Sequence, residues 1–424
     1  MKSETKFKET EIGQIPEDWE ADALGNHTKI IKGISYRSED YCSEDEGFIF
    51  INLKCVARNG GFREDGIKYY KGELKEEQFV NAGDIIIANT DLTQNREIIG
   101  SPLKIPKLKT DRRMCISLDL SKLDVTSKKL DGNFLYYYLM SPRARNFMIA
   151  NGNGTTVVHL STKNVPNMII PIPSIEEQKE IAKMLLNLDK KIEINTNLNT
   201  YLEKSAELLF KQWFIDCEFP NEKGKPYKSS GGEMVDSELG EIPKGWEVKS
   251  LDKISTNYDS KRVPISSRER EKIKGEYPYY GATSIMDYIN DFIFDGIYLL
   301  MAEDGSVITE SGNPILQYVW GKCWVNNHTH VLQGKNISTE LLYLLLKNIS
   351  VKHIVTGAVQ PKINQKNMNS LKFILPPKNI LNIFENHIQQ IFSKHRILKE
   401  NNAQVFSTRN LLINSLMSGQ VRVK

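Results

Sequence analysis

The sequence contains no CxxC pair, and its five cysteines (Cys42, Cys55, Cys115, Cys217, Cys323) are scattered and odd in number. Neither a disulfide framework nor a zinc site is indicated. Long hydrophobic runs are also missing: none approaches the ~18 residues of a membrane span. Met1-Lys2-Ser3-Glu4 is charged with no apolar stretch behind it, so no leader is expected and a cytoplasmic location is. Charge of one sign is scarce as well, since 56 Lys and Arg against 53 Asp and Glu leave a net +3. That balance permits nucleic-acid binding through local patches without arguing for it.

Catalytic signatures are equally absent. No GxxxxGK[ST] phosphate loop occurs; Asn151-Gly152-Asn153-Gly154-Thr155-Thr156 lacks the lysine, and Val157 stands where GxGxxG needs its third glycine. No Asn/Asp-Pro-Pro-aromatic tetrapeptide is present, because Pro376-Pro377 follows Leu375 and precedes Lys378. GxSxG and HExxH are missing too. The close pair His328 and His330 lacks a third ligand nearby and reads better as two satisfied imidazoles than as a metal site. Glu303-Asp304-Gly305 reads as an acidic turn rather than a catalytic carboxylate pair. The chain is therefore expected to be no enzyme and to hold no metal or cofactor.

What is present is repetition. Glu11 to Glu20 (EIGQIPEDWE) recurs as Glu238 to Glu247 (ELGEIPKGWE) at an offset of 227, and Gly154 to Pro173 matches Gly357 to Pro376 at 203. The first copy thus carries about 24 extra residues (227 − 203) between its tryptophan and its exit loop. Each half closes on a long helix, the first read over Glu176–Phe214. Ile181, Leu185, Leu188, Ile192, Asn195, Asn199, Leu202, Ala206, Leu209 and Trp213 alternate steps of four and three. At +203 stand Phe384, Ile388, Ile391, His395, Leu398, Asn402, Val405, Arg409, Leu412 and Leu416. These are coiled-coil seams, whose 3.5-residue period keeps one stripe facing a partner helix. Each helix would be a rod of about 55–60 Å. The short connector between the halves favours an antiparallel pair, with Ile181 near Leu416 and Trp213 near Phe384.

The globular parts read as mixed α and β. Gly47–Ile51 and Asp84–Ala88 look like strands, Leu130–Ile149 like a helix broken at Pro142, and Met168–Pro173 like an edge strand before a Ser174 cap. In the second half Tyr277–Gly281, Tyr298–Ala302 and Trp324–Leu332 carry strand character, and Ser338–Asn348 a short helix. The expected layout is 1–174, a first globular domain; 175–217, a spacer helix; 218–236, a polar Gly/Pro connector; 237–377, a second domain; and 378–424, a second spacer helix with tail.

Polar, basic and aromatic residues gather in the loops. The first domain offers Lys29, Lys32, Tyr36 and Arg37; Asn89 and Thr90 with Gln94, Asn95 and Arg96; and Thr155, Thr156, His159, Ser161 and Lys163. The second offers Lys261 and Arg262; Tyr280, Thr283 and Ser284; Asn326, Asn327 and His328; and Gln360, Lys362, Asn364, Gln365 and Lys366. Arg, Lys, Asn and Gln can read base edges, and Lys, Thr and Ser serve phosphates. Taken singly each is a solvated surface residue; as clusters they point to DNA.

The tryptophan motifs, the stretch from Glu218-Phe219-Pro220 to Trp246, Tyr279-Tyr280-Gly281-Ala282-Thr283, Asp295-Gly296 to Gly305, Trp324 to His328 and Gln360 to Lys366 together resemble the specificity subunit of type I restriction–modification systems. The likeness spans essentially the whole chain. It implies an α+β architecture: two pseudo-two-fold-related mixed α/β target-recognition domains separated by two long helices forming an antiparallel intramolecular coiled coil. It implies a non-catalytic reader of a bipartite, gapped site in double-stranded DNA. The implied partners are two adenine-N6 methyltransferase subunits, which use S-adenosylmethionine, and restriction/motor subunits, which consume ATP with magnesium. The first domain lacks the second's Tyr-Tyr-Gly and Trp-Val-Asn-Asn-His motifs, so the likeness reaches its loops only at Thr155 to Lys163. Two rival readings are a structural tether spacing two protein-binding domains, and an enzyme repeated in tandem.

Overall fold

A two-stranded antiparallel ribbon opens each half: Phe7–Thr10 with Gly13–Pro16, and, 227 positions on, Met234–Ser237 with Gly240–Pro243. The computed structural model describes residues 5–58, 60–93, 95–357 and 359–423. The chain divides into two units, Met1–Ile194 with Asn401–Lys424, and Asn195–Glu400. Each unit has the same frame. Glu20–Ala23 pairs with Ile169–Ile172 in the first, and Glu247–Ser250 with Lys372–Leu375 in the second. The strand before each long helix is thus anchored to the segment that follows each tryptophan.

Between those common ends the units differ. The first carries two four-stranded sheets. One is all antiparallel, in the order Pro102–Lys104, Ile85–Ala88, Leu120–Val125, Thr28–Lys32. The other runs Lys68–Tyr70, Phe48–Ile51, Met114–Ile116, Phe79–Val80, with its middle pair parallel. Helices Gly132–Met140 and Pro142–Ala150 meet at Ser141, which caps the second through Ala144 N–H while Pro142 takes the first-turn position that needs no donor. The second unit has one six-stranded sheet in the order Ser255–Asn257, Thr329–Gly334, Phe294–Ala302, Leu316–Val325, Lys274–Tyr280, Ile285–Ile289. Helix Thr339–Lys347, capped by Ser338, packs on it.

The first long helix spans Ile175–Phe210, its first turn bonded to Ser174 through Glu177 N–H, and it ends in a wider π-turn over Lys211–Ile215 that buries both Trp213 and Phe214. The second spans Lys378–Met417. In the first unit Ile181 and Leu185 share a core with Ile413, Leu416 and Met417, while Asn402 donates to Ile192 O (3.2 Å). In the second, Trp213 meets Phe384 with ring centroids 5.4 Å apart, and Glu203 lies 3.4 Å from His395. Rising numbers on one helix meet falling numbers on the other, so the pairing is antiparallel in both units. Ile413 and Met417 widen the expected seam to a third position per heptad, as helices resting on a globular domain require. Among the described residues no helix is long and apolar enough to cross a membrane.

Two aromatic anchors tie the frame together. Trp19 is fully buried; its indole N–H donates to Glu177 Oε2 (3.0 Å), and Arg422 lies over its ring (5.6 Å). Arg422 also grips Glu177 (2.6 and 2.9 Å) and Asp18 (2.9 and 2.6 Å). The Arg422 hydrogen bond holds the Asp18 carboxyl below its usual range. In the second unit Trp246 packs on Phe214 and Phe219. Polar residues 218–236, expected as a simple connector, are a folded loop here. Phe219 is buried and stacks on Tyr227 (4.6 Å), and Tyr227 donates from its hydroxyl to Glu233 O.

Candidate nucleic-acid interface

In each unit the exit loop before the last strand bonds back onto the end of a central strand. Leu160 N–H donates to Asn89 O (2.7 Å) in the first, and Ile363 N–H to Glu303 O (2.8 Å) in the second. Leu160 and Ile363 are equivalent at the 203 offset. The loop tip needs glycine at the equivalent Gly154 (φ +119°) and Gly357 (φ +87°), where an added Cβ would fall 2.1 Å from Val157 O and 2.2 Å from Gln360 O. The same backbone cradle thus presents different side chains in the two units.

In the second unit the candidate loops converge. Arg262 donates to Glu303 (2.7 Å), Thr329 O (2.7 Å) and Asn327 O (3.4 Å). Asn326 N–H bonds Tyr280 O, and Gly305 N–H bonds Pro361 O. Lys362 reaches Glu303 (3.2 Å), and His328 Nδ1 sits 2.6 Å from Asp304 Oδ1. Burial alone would raise the Glu303 carboxyl; the Arg262 hydrogen bond and the charges of His330, Arg262 and Lys362 bring it below its usual range. Lys261, Thr283, Ser284, Asn327, His328, Gln360, Gln365 and Lys366 are exposed around this centre. Asn364 instead caps the short helix Gln365–Asn369, and burial of Tyr280 pushes its phenol up to about 12.

Asp259, Glu303 and His330 bring possible metal-ligating atoms within 4.8 Å of one another. His330 Nε2 faces Ile363 O (2.8 Å) and must donate to it, and Nδ1 faces Asp259 (2.5 Å). Arg262 and Lys362 neutralise the two carboxylates. The cluster is a closed ion-pair network whose lone pairs are already engaged by protons. Burial would lower the His330 pKa, but the Asp259 hydrogen bond and charge and the Ile363 carbonyl together raise it.

The first unit spends several of its candidates internally. Buried Asn89 donates to Leu118 O (3.1 Å) and Ser121 (2.9 Å), and Thr90 donates to Asp119 (2.8 Å). Arg96, at φ +55°, donates to Ile149 O (3.3 Å) and Gly154 O (3.4 Å), stapling the exit loop. Tyr36 packs edge-on against Phe50 (4.9 Å), and burial lifts its phenol to about 12. Lys29 and Lys32 stand exposed on the edge strand Thr28–Lys32, and Arg37, Asn95, Thr155, Thr156, His159 and Lys163 are exposed too; Ser161 is half-buried. Gln94 lies outside the described residues. Sequence reasoning passed over two acids that organise this face. Asp91, fully buried, accepts from Thr93, Ile98 and Ile99 N–H (2.6–2.7 Å), and Asp119 receives Thr90. Their position just beyond apolar strands was the available signal.

The chain matches the family model described as type I restriction modification DNA specificity domain twice, over residues 16–204 and 243–403. It is similar to the type I restriction enzyme MjaIX specificity subunit of Methanocaldococcus jannaschii, 26% identical over 459 residues, covering 99% of this chain and 98% of that one. A putative type I restriction enzyme specificity subunit of Haemophilus influenzae is 33% identical over 145 residues, 34% of this chain and 37% of that one. Among solved structures, the S subunit of a type I restriction–modification system from M. genitalium superposes with a TM-score of 0.53 at 16% identity, covering 94% and 96%. That likeness carries the fold.

Proposed function

The chain belongs to the family of type I restriction modification DNA specificity proteins, and we propose that it reads a bipartite, gapped sequence in double-stranded DNA, one word per unit. The observation that supports this most is the twice-built exit-loop cradle, Leu160 on Asn89 and Ile363 on Glu303, carrying different side chains on one frame. Identical backbone scaffolds with dissimilar loops suit two different words.

This chain supplies recognition, and catalysis comes from partners: two methyltransferase subunits using S-adenosylmethionine, and motor-nuclease subunits using ATP and magnesium. A partner that binds twice needs a surface that occurs twice. Exposed apolar residues recur at the 203 offset, with Leu208 and Leu411 both 67% exposed and Ile194 and Ile397 51% and 55%. Ile194, Tyr201 (63% exposed) and Leu208 stand seven residues apart on one helix face, and an exposed apolar stripe of that kind favours docking of a protein over plain solvation.

The deciding experiment exchanges residues 20–153 for those of a relative, co-expresses the chimaera with the methyltransferase partner, and maps methylated adenines. A change confined to one half of the recognised sequence is expected. An unaltered sequence, or loss of both halves, would refute separate readers.

A further inference from the structure

The loop Asn326–His328, between strands Leu316–Val325 and Thr329–Gly334, is fixed from three sides. His328 N–H donates to Asn326 Oδ1 (3.0 Å), His328 O accepts from Glu303 N–H (2.9 Å), and Asn327 O accepts from Arg262 (3.4 Å). Several polar side chains around it are spent inward. Arg262 and Asn326 are committed as described, and His330, 1% exposed, uses both ring nitrogens. His328 differs from its neighbour in both respects: it is 50% exposed and engages only Nδ1. The partner there, Asp304, is a largely buried carboxylate and accepts only, so the ring proton is held on Nδ1. In the neutral tautomer that this bond selects, Nε2 is an acceptor with no protein partner among the described residues, on a half-exposed ring held in one orientation, the arrangement that a carboxylate behind an imidazole produces elsewhere. Lys362, half exposed beside it, offers a cation for backbone phosphate.

Resting on the DNA-reading proposal above, we infer that His328 is a specificity-determining residue of the second unit: its Nε2 accepts a hydrogen bond from the exocyclic amino group of one base, adenine N6 or cytosine N4, in the major groove. Those amino groups are the base-edge donors the major groove displays, and guanine and thymine present acceptors at the matching place. Facing them, Nε2 would leave two lone pairs opposed. Asp304 is the positioning residue, acting through the ring it orients.

The test maps methylated adenines in cells carrying the full chain, or a variant, with its methyltransferase partner, and repeats the selectivity measurement with the purified complex at pH 8. The wild type should demand A or C at one position of one half of its sequence. His328→Ala, a change at an exposed side chain, should cut discrimination at that position about tenfold, the worth of one well-placed base contact, and leave every other position alone. Asp304→Ala, which frees the ring and its tautomer, should relax the same position. Lys362→Ala should instead weaken methylation evenly across sequences. Unchanged discrimination at every position in His328→Ala, or an even loss across all of them, overturns the assignment while leaving the reading function intact. A wild-type complex that methylates no defined sequence overturns that function and the assignment with it.

Discussion

Replacing Asn199 by Leu should stabilise the second unit. In the register set by Trp213 with Phe384 and Glu203 with His395, Asn199 comes level with Leu398. Its side chain is buried, and neither Nδ2 nor Oδ1 finds a hydrogen-bond partner. A buried carboxamide left in that state costs about 1–3 kcal/mol. Leucine of similar size removes the cost and adds apolar contact in a seam that favours it. A net gain of about 2 kcal/mol is a fair expectation after side-chain ordering is charged against it. For a unit of 206 residues (195 to 400) each kcal/mol moves the transition by about 2–4 °C, so calorimetry of the full chain should show the second unit's Tm rise by about 4–8 °C. Asn195 engages an interaction of its own, so Asn195→Leu should gain less or lose. An unchanged or lowered Tm in Asn199→Leu would refute the claim that this carboxamide is a net cost to the fold.

Three further outcomes follow from the geometry. Arg422→Ala removes two carboxylate partners and the cover over Trp19, and should destabilise the first unit by about 1–3 kcal/mol with a red-shifted tryptophan emission; unaltered emission and Tm would contradict the clamp. Gly154→Ala and Gly357→Ala each place a Cβ about 2 Å from a carbonyl oxygen at a left-handed residue, and each should impair selection of one half of the recognised sequence only, read by methylation mapping. The raised pKa of His330 means its stabilisation is complete below the ordinary imidazole range near 6.5 and is lost as pH climbs through the folded value. Burial lowers the His395 pKa, so its ring is neutral in the fold and stability falls at the acid side instead. Denaturant midpoints of the second unit should therefore decline as pH rises beyond the ordinary imidazole range in the wild type. His330→Gln should flatten that alkaline limb and spare the acid one; an identical decline in the variant would exclude His330 as its source.

Much of the fold was legible because its signals are periodic or repeated. The seam through Ile181, Leu185, Phe384 and Ile388 shows its 3.5-residue period in the residue types themselves, and the two tryptophan motifs announce a frame used twice. Side-chain direction is another matter. Asn89, Thr90, Arg96 and Arg262 have the chemistry of base or phosphate contacts, yet each is spent on backbone, hydroxyl or carboxylate partners, a choice made by tertiary packing that residue type does not encode. Asp91 and Asp119 escaped notice for the converse reason: a search for basic and amide groups passes over the acids that hold loops in place. Order in residues 218–236 was hidden because Gly and Pro dominate the pattern while two aromatics, Phe219 and Tyr227, supply the anchorage.

The first unit is assembled from two stretches that lie far apart in the sequence, since Ile413, Leu416, Met417 and Arg422 complete the floor on which Trp19, Ile181 and Leu185 rest. Synthesis therefore finishes the contiguous second unit, Asn195–Glu400, before it has delivered the residues that close the first. The segment up to Ile194 waits with its apolar underside uncovered through more than two hundred further residues of synthesis (195 to 400). Removal of residues 401–423 should accordingly be felt within residues 5–194.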